Sequence, residues 1–222
     1  MQHSRMPTDV AHHATVDAEF LLHLRQQTRR AHEAIEAELD LVGPGLNLET
    51  YRRRIGRFYG FYLPLEARLQ HPVHTVTGMP DAALRQKSPW LVADLTSLGM
   101  DSAALPTCAS GLPDLRSEEA RYGCHYVLEG ATLGGQVIGR HLRDRLGIAP
   151  GTGGRFFASY GDRTGSMWQS FRAALSRFAA QSRAPEAIVA GAAETFDCMR
   201  RWCADPNPTQ DCRSRSAMHG KV

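Results

Sequence analysis

Two stretches of this chain carry residue types at spacings that could do chemistry. The first is RQQTRRAHEAIE, residues 25–36. At ~100° per residue, Thr28, His32 and Glu36 fall close to one line along a helix, and Arg25 lies two turns before His32, on the order of 10 Å along the axis. One face therefore offers, in order, a cation, a hydroxyl, an imidazole and a carboxylate. An imidazole so placed can ligate a metal, or it can simply border an amphipathic helix. The second stretch is YVLEGATLGGQVIGRHL, residues 126–142. Its apolar residues recur at helical intervals, yet four glycines interrupt it, each costing about 1 kcal/mol relative to alanine in a helix interior. Gly130 and Gly134 stack one above the other, and Gly135 widens the bare strip. Such a wall admits either a second helix packed very close or a flat ligand lying against the main chain.

Several other chemistries find no support. The chain has no GxSxG elbow, no HExxH and no pair of Glu-x-x-His motifs for a di-iron centre. Cys108 and Cys124 have no local activating group, and the five cysteines form no CxxC pair, which suits free thiols in a reducing compartment. The segment IAPGTGGR, residues 148–155, follows a helix and lacks the GK[ST] ending of a phosphate cradle. What remains is one solitary imidazole and one side-chain-free helix wall. Together they suit a flat metallo-macrocycle held between two helices, ligated from one side and backed by main chain on the other.

The elements that must position these residues read as helices throughout. With 42% hydrophobic and 22% charged residues the composition is that of a globular domain, and no segment alternates with period two over strand length. Residues 1–17 lack periodicity and read as a flexible tail. A helix follows from Ala18 to about Leu41, with an apolar stripe of Leu24, Thr28, Ala31, Ile35, Leu39 and Val42. Asn47 caps a second helix bearing Arg52, Arg53, Arg54 and Arg57 on solvated sides, a surface that could also receive an acidic redox partner. Ser88 as N-cap and Pro89 as first helical residue open a short helix closed by Gly99, and Ser117 caps the glycine-bearing helix, which ends near Gly147. Further helices span about 166–181 and, opened by Pro185, run to Trp202; residues 205–222 read as disordered. The expectation is one all-α domain over 18–204. A net charge of +3 with dispersed arginines does not indicate nucleic acid, and no signal peptide or membrane span is visible, so a cytoplasmic protein is expected.

LRQQTRRAHEAIE (24–36), KSPWLVADLTSLG (87–99), YVLEGATLGGQVI (126–138) and RFFASYGDRTGSMWQSFRAAL (155–175) resemble the heme oxygenase family, and in particular its bacterial, bacteriophytochrome-associated branch. The matches run in family order from about residue 20 to 203. The resemblance implies a single helical bundle with heme b between a proximal helix and a kinked distal one. It implies His32 as the iron ligand, with Thr28 and Glu36 beside it, and Gly130, Gly134 and Gly135 over the opposite heme face. Arg25 and Arg172 are the implied propionate partners, and Tyr160 a further pocket residue. The implied reaction opens heme to biliverdin with O₂ and a reductant, releasing CO and ferrous iron. A ferredoxin or another reductase would supply electrons, and a bacteriophytochrome apoprotein could receive the bilin. One departure stands out: animal members carry an aspartate in the distal helix that orders water, and Ala131 stands at that position. Glu129, Thr132 and His141 are near in sequence, but none is assigned its role. The alternatives are a non-degrading heme carrier or sensor and a different small-molecule enzyme on the same scaffold.

Overall fold

The computed structural model describes residues 8–204, with side chains from Glu19 onward. Among these residues there are seven α-helices and no strand: α1 (Thr8–Leu39), α2 (Leu48–Leu69), α3 (Ser88–Ser97), α4 (Glu118–Leu146), α5 (Arg155–Ala158), α6 (Thr164–Gln181) and α7 (Glu186–Ala204). The all-helical expectation holds. The first helix starts earlier than its apolar stripe suggests, because residues 8–17 contain no Gly or Pro to stop propagation back from Ala18. Residues 1–7 and the expected C-terminal tail lie outside the described residues. None of the described helices is long and apolar enough to cross a membrane.

Caps fix where the helices begin. Asn47 Oδ1 accepts the Thr50 N–H at 2.9 Å and Ser117 Oγ accepts the Ala120 N–H at 3.1 Å, as their sequence positions predict. Gly147 closes α4 with φ 68°, a left-handed conformation that glycine adopts without strain. At α3 the expected cap is corrected. Ser88 is the first helical residue, and its N–H, its hydroxyl and the Lys87 N–H all donate to the Glu66 carboxylate of α2. Asp94 of α3 does the same for α5, accepting from Arg155 N at 2.6 Å and Phe156 N at 2.8 Å. Buried carboxylates thus satisfy orphan N–H groups that local residues leave open.

One continuous core runs through the domain. The α1 stripe is borne out at Leu24, Thr28, Ile35 and Leu39, which are buried, whereas Val42 lies beyond the helix end and is 52% exposed. α7 packs on α1, α2 and α4. Its approach to α4 needs two glycines. A Cβ on Gly123 would stand 2.2 Å from the Ile188 carbonyl oxygen, and one on Gly191 would stand 2.6 Å from the Ala120 Cα. Arg57, expected on a solvated face, is instead buried with its guanidinium carbon 5.6 Å from the centroid of the Trp202 ring. Cys108, Cys124, Cys198 and Cys203 are buried and form no disulfide; Cys212 is outside the described residues.

Candidate functional site

Helices α1 and α4 scarcely touch each other; both pack instead on α6 and α7, which form a shared floor. The space that α1 and α4 flank over this floor, bridged at Thr28 and Tyr126, is called the slot below. On the α1 wall, Thr28 is buried and donates its hydroxyl to the Leu24 carbonyl at 2.7 Å. That bond pins the helix one turn before His32. The His32 ring meets Phe196 of the floor edge-on, with centroids 5.5 Å apart. Its Nδ1 lies 3.5 Å from Glu36 Oε2. The carboxylate flanks the Nδ1 edge of the ring, so the Nε2 edge faces away from it.

On the α4 wall, the face that includes Tyr126, Gly130, Gly134 and Val137 is open. A Cβ placed on Gly134 would meet nothing within 4 Å, and one on Gly130 would only graze Trp168 of α6 at 4.0 Å. Leu133 and Val137 are 42% and 62% exposed, a length of apolar helix left open among the described residues. Of the two alternatives posed by the glycines, close helix packing therefore does not account for Gly130 or Gly134. It does account for Gly135. There a Cβ would stand 2.5 Å from the Phe157 carbonyl oxygen, so this glycine lets α5 approach α4 and does not extend the open strip.

Arg25 of α1 and Arg172 of α6 converge at one end of the slot, around Tyr126. Burial pushes the Tyr126 phenol up, while a side-chain hydrogen bond with Thr28 and the charges of Arg25 and Arg172 oppose that shift. Both arginines are exposed on their helices. Tyr126 is a contributor that the sequence reading missed, although its place one turn before Gly130 on the same helix line was available from spacing.

Tyr160 takes a different place from the one expected. It is buried on the flank of α4, where its hydroxyl donates to Glu129 at 2.9 Å and accepts from Lys87 Nζ at 3.1 Å. Glu129 is the centre of this cluster. Lys87 Nζ is 2.5 Å from Glu129 Oε1, and Arg85 pairs with the other carboxylate oxygen. Arg85 also donates to the carbonyls of Pro80 (2.8 Å) and Met167 (3.2 Å), and Lys87 Nζ to the carbonyl of Arg85 at 2.8 Å. Burial and the Glu129 charge together push the Tyr160 hydroxyl up, so it stays protonated. None of Arg85, Lys87 and Glu129 was singled out for such a role by spacing, since the pairs join residues more than forty positions apart.

The residues fit a heme. An imidazole flanked by a carboxylate at Nδ1, a strip without side chains, exposed apolar helix and two cations at one edge suit the metal, the flat faces and the propionates of that group. The sequence comparisons agree. The heme oxygenase family profile matches residues 18–205. A protein of Xanthomonas campestris pv. campestris (strain 8004) named heme oxygenase is 31% identical over 160 residues, which span 71% of this chain and 92% of that protein. The chain belongs to the heme oxygenase family.

Proposed function

We propose that this protein is a heme oxygenase that opens heme to biliverdin with O₂ and electrons from a reductase, releasing CO and ferrous iron. The observation that carries the reading is the pairing of the imidazole at His32 with the open, Cβ-free face at Gly130 and Gly134 across a slot with a common floor. Bound heme is the substrate and supplies the iron at which O₂ is activated. The chain's own residues do the rest. His32 would hold the iron through its imidazole, with the Glu36 carboxylate beside Nδ1. Arg25 and Arg172 take the propionates and fix the in-plane orientation of the ring, which decides which edge lies under the α4 wall. Gly130 and Gly134 keep that wall low, so main chain and not a bulky side chain would border this face of a bound ring. Leu133 and Val137 exclude bulk water from the same face.

The electron donor is read as an acidic redox protein such as a ferredoxin, which the exposed Arg52 and Arg53 of α2 would attract. A bacteriophytochrome apoprotein is the proposed acceptor of the bilin. Purified protein given hemin and a reductant in air is expected to lose its Soret absorption and to yield a bilin identifiable by chromatography. His32→Ala is expected to shift the spectrum of the hemin complex and to abolish turnover. Intact heme after prolonged reduction in air would overturn the oxygenase reading in favour of a carrier or sensor. Failure to bind hemin would overturn both.

A further inference from the structure

The Nε2 of His141, on α4, is buried and has no hydrogen-bond partner among the described residues. A buried nitrogen left in that state is costly, and it calls for a partner. His141 follows Gly134 by two turns, ~20° around the helix and ~10 Å along its axis, so it continues the line of Gly130 and Gly134. Two contacts bound the slot along this line. At one end Tyr126 meets Thr28. At the other, one turn beyond His141, Arg145 donates to the Pro44 carbonyl at 2.9 Å and joins the end of α4 to the connection that follows α1. His141 therefore sits just inside the far end. The exposed Val137 comes one turn before it, and Arg25 and Arg172 gather at the opposite end around Tyr126.

We propose that His141 is a product-binding residue whose Nε2 pairs with a lactam end of the ring-opened tetrapyrrole. The proposal rests on the heme oxygenase reading and deepens it. With the two propionates at Arg25 and Arg172, the edge of the macrocycle opposite them points along α4 toward His141. In intact heme that edge carries a meso C–H with methyl and vinyl groups, none of which satisfies an imidazole nitrogen. Opening the ring there removes the bridging carbon as CO and leaves two lactams, each with a carbonyl that accepts and a ring N–H that donates. A neutral imidazole donates or accepts at Nε2 according to its tautomer. Either form thus finds a partner in the product, and neither finds one in the substrate. One buried nitrogen thereby separates two ligands of similar outline, because its pairing is realised with only one of them.

Two variants of the full chain test this. His141→Leu keeps an apolar side chain in the same place without a polar atom, and His141→Gln keeps both a donor and an acceptor. Each is compared with the wild type for melting temperature and for affinity in separate titrations with hemin and with biliverdin IXα, the isomer opened opposite the propionates. His141→Leu is expected to melt no lower than the wild type, since Nε2 gives up no protein hydrogen bond. It should bind hemin within about twofold of the wild type and biliverdin about tenfold more weakly, the order expected for one lost hydrogen bond. His141→Gln should regain most of the biliverdin affinity. Unchanged affinity for both ligands in folded His141→Leu, or an equal loss for both, would overturn the assignment while leaving the oxygenase reading intact. A lower melting temperature in both variants, or failure of His141→Leu to fold, would assign the imidazole to the scaffold and overturn it as well. If the wild type binds hemin but never opens it, the parent reading falls and takes this one with it.

Discussion

His32, Glu36 and Thr28 act as a unit because a helix repeats nearly every four residues. The hydroxyl fixes the main chain, the imidazole reaches out, and the carboxylate lies beside Nδ1. Arg25 and Arg172 have no such local relation; only folding brings them to Tyr126. Because both are exposed and neither supports the core, Arg25→Ala and Arg172→Ala should leave the melting temperature nearly unchanged. Each should weaken hemin binding about tenfold, the order expected for losing a charge-assisted hydrogen bond. Titration of hemin into each variant, followed at the Soret band, checks this; an effect on melting with no effect on affinity would assign them to the scaffold. At this scale the sequence was informative wherever a role depends on neighbours within one helix. It was silent on Glu129, Lys87 and Arg85, whose partners are set by tertiary packing and leave no periodic trace.

At the scale of elements, α4 is legible as a helix from its caps and apolar spacing, but its glycines look alike in sequence and do different work. Gly135 meets the Phe157 carbonyl, and Gly134 meets nothing. Opposite outcomes are therefore expected from the same substitution one residue apart. Gly135→Ala should lower the melting temperature, since the added methyl runs into backbone that cannot rotate away. Gly134→Ala should leave the fold as stable or raise its stability by up to about 1 kcal/mol through helix propensity, and should weaken hemin binding or slow turnover by crowding the slot. Thermal melts and hemin titrations on the two variants discriminate them. A stable Gly135→Ala protein with impaired hemin binding would reverse the assignment. The capping of α3 and α5 by Glu66 and Asp94 shows the same limit of local reading. Both caps come from another helix, α2 for the one and α3 for the other, far in sequence from the N–H groups they satisfy.

For the whole molecule, the buried cluster sets a pH limit. His125, one turn before Glu129 on α4, is held neutral: burial first, then Lys87 and Arg85, push its imidazole from 6.5 down to about 3. The folded value lies below the unfolded one, so the unfolded chain takes up the proton first. Stability that is full above pH 6.5 is therefore lost progressively as the pH falls from there toward about 3. The loss should reach roughly 2 kcal/mol by pH 5. Denaturant titrations of wild type and His125→Gln between pH 5 and 8 test this, the variant being expected to show a flatter acid limb. An equal slope in both would place the acid sensitivity elsewhere.

The shared floor under α1 and α4 has a consequence for the catalytic cycle. With so little direct contact between the two walls, a macrocycle bound as proposed would itself be the cross-brace, gripping one wall through its metal and the other through its flat face. Cutting the ring and losing the iron would undo both grips at once. Such a protein would hold its cargo firmly while it is whole and relax around the fragments, so that turnover would loosen the jaws that made it possible.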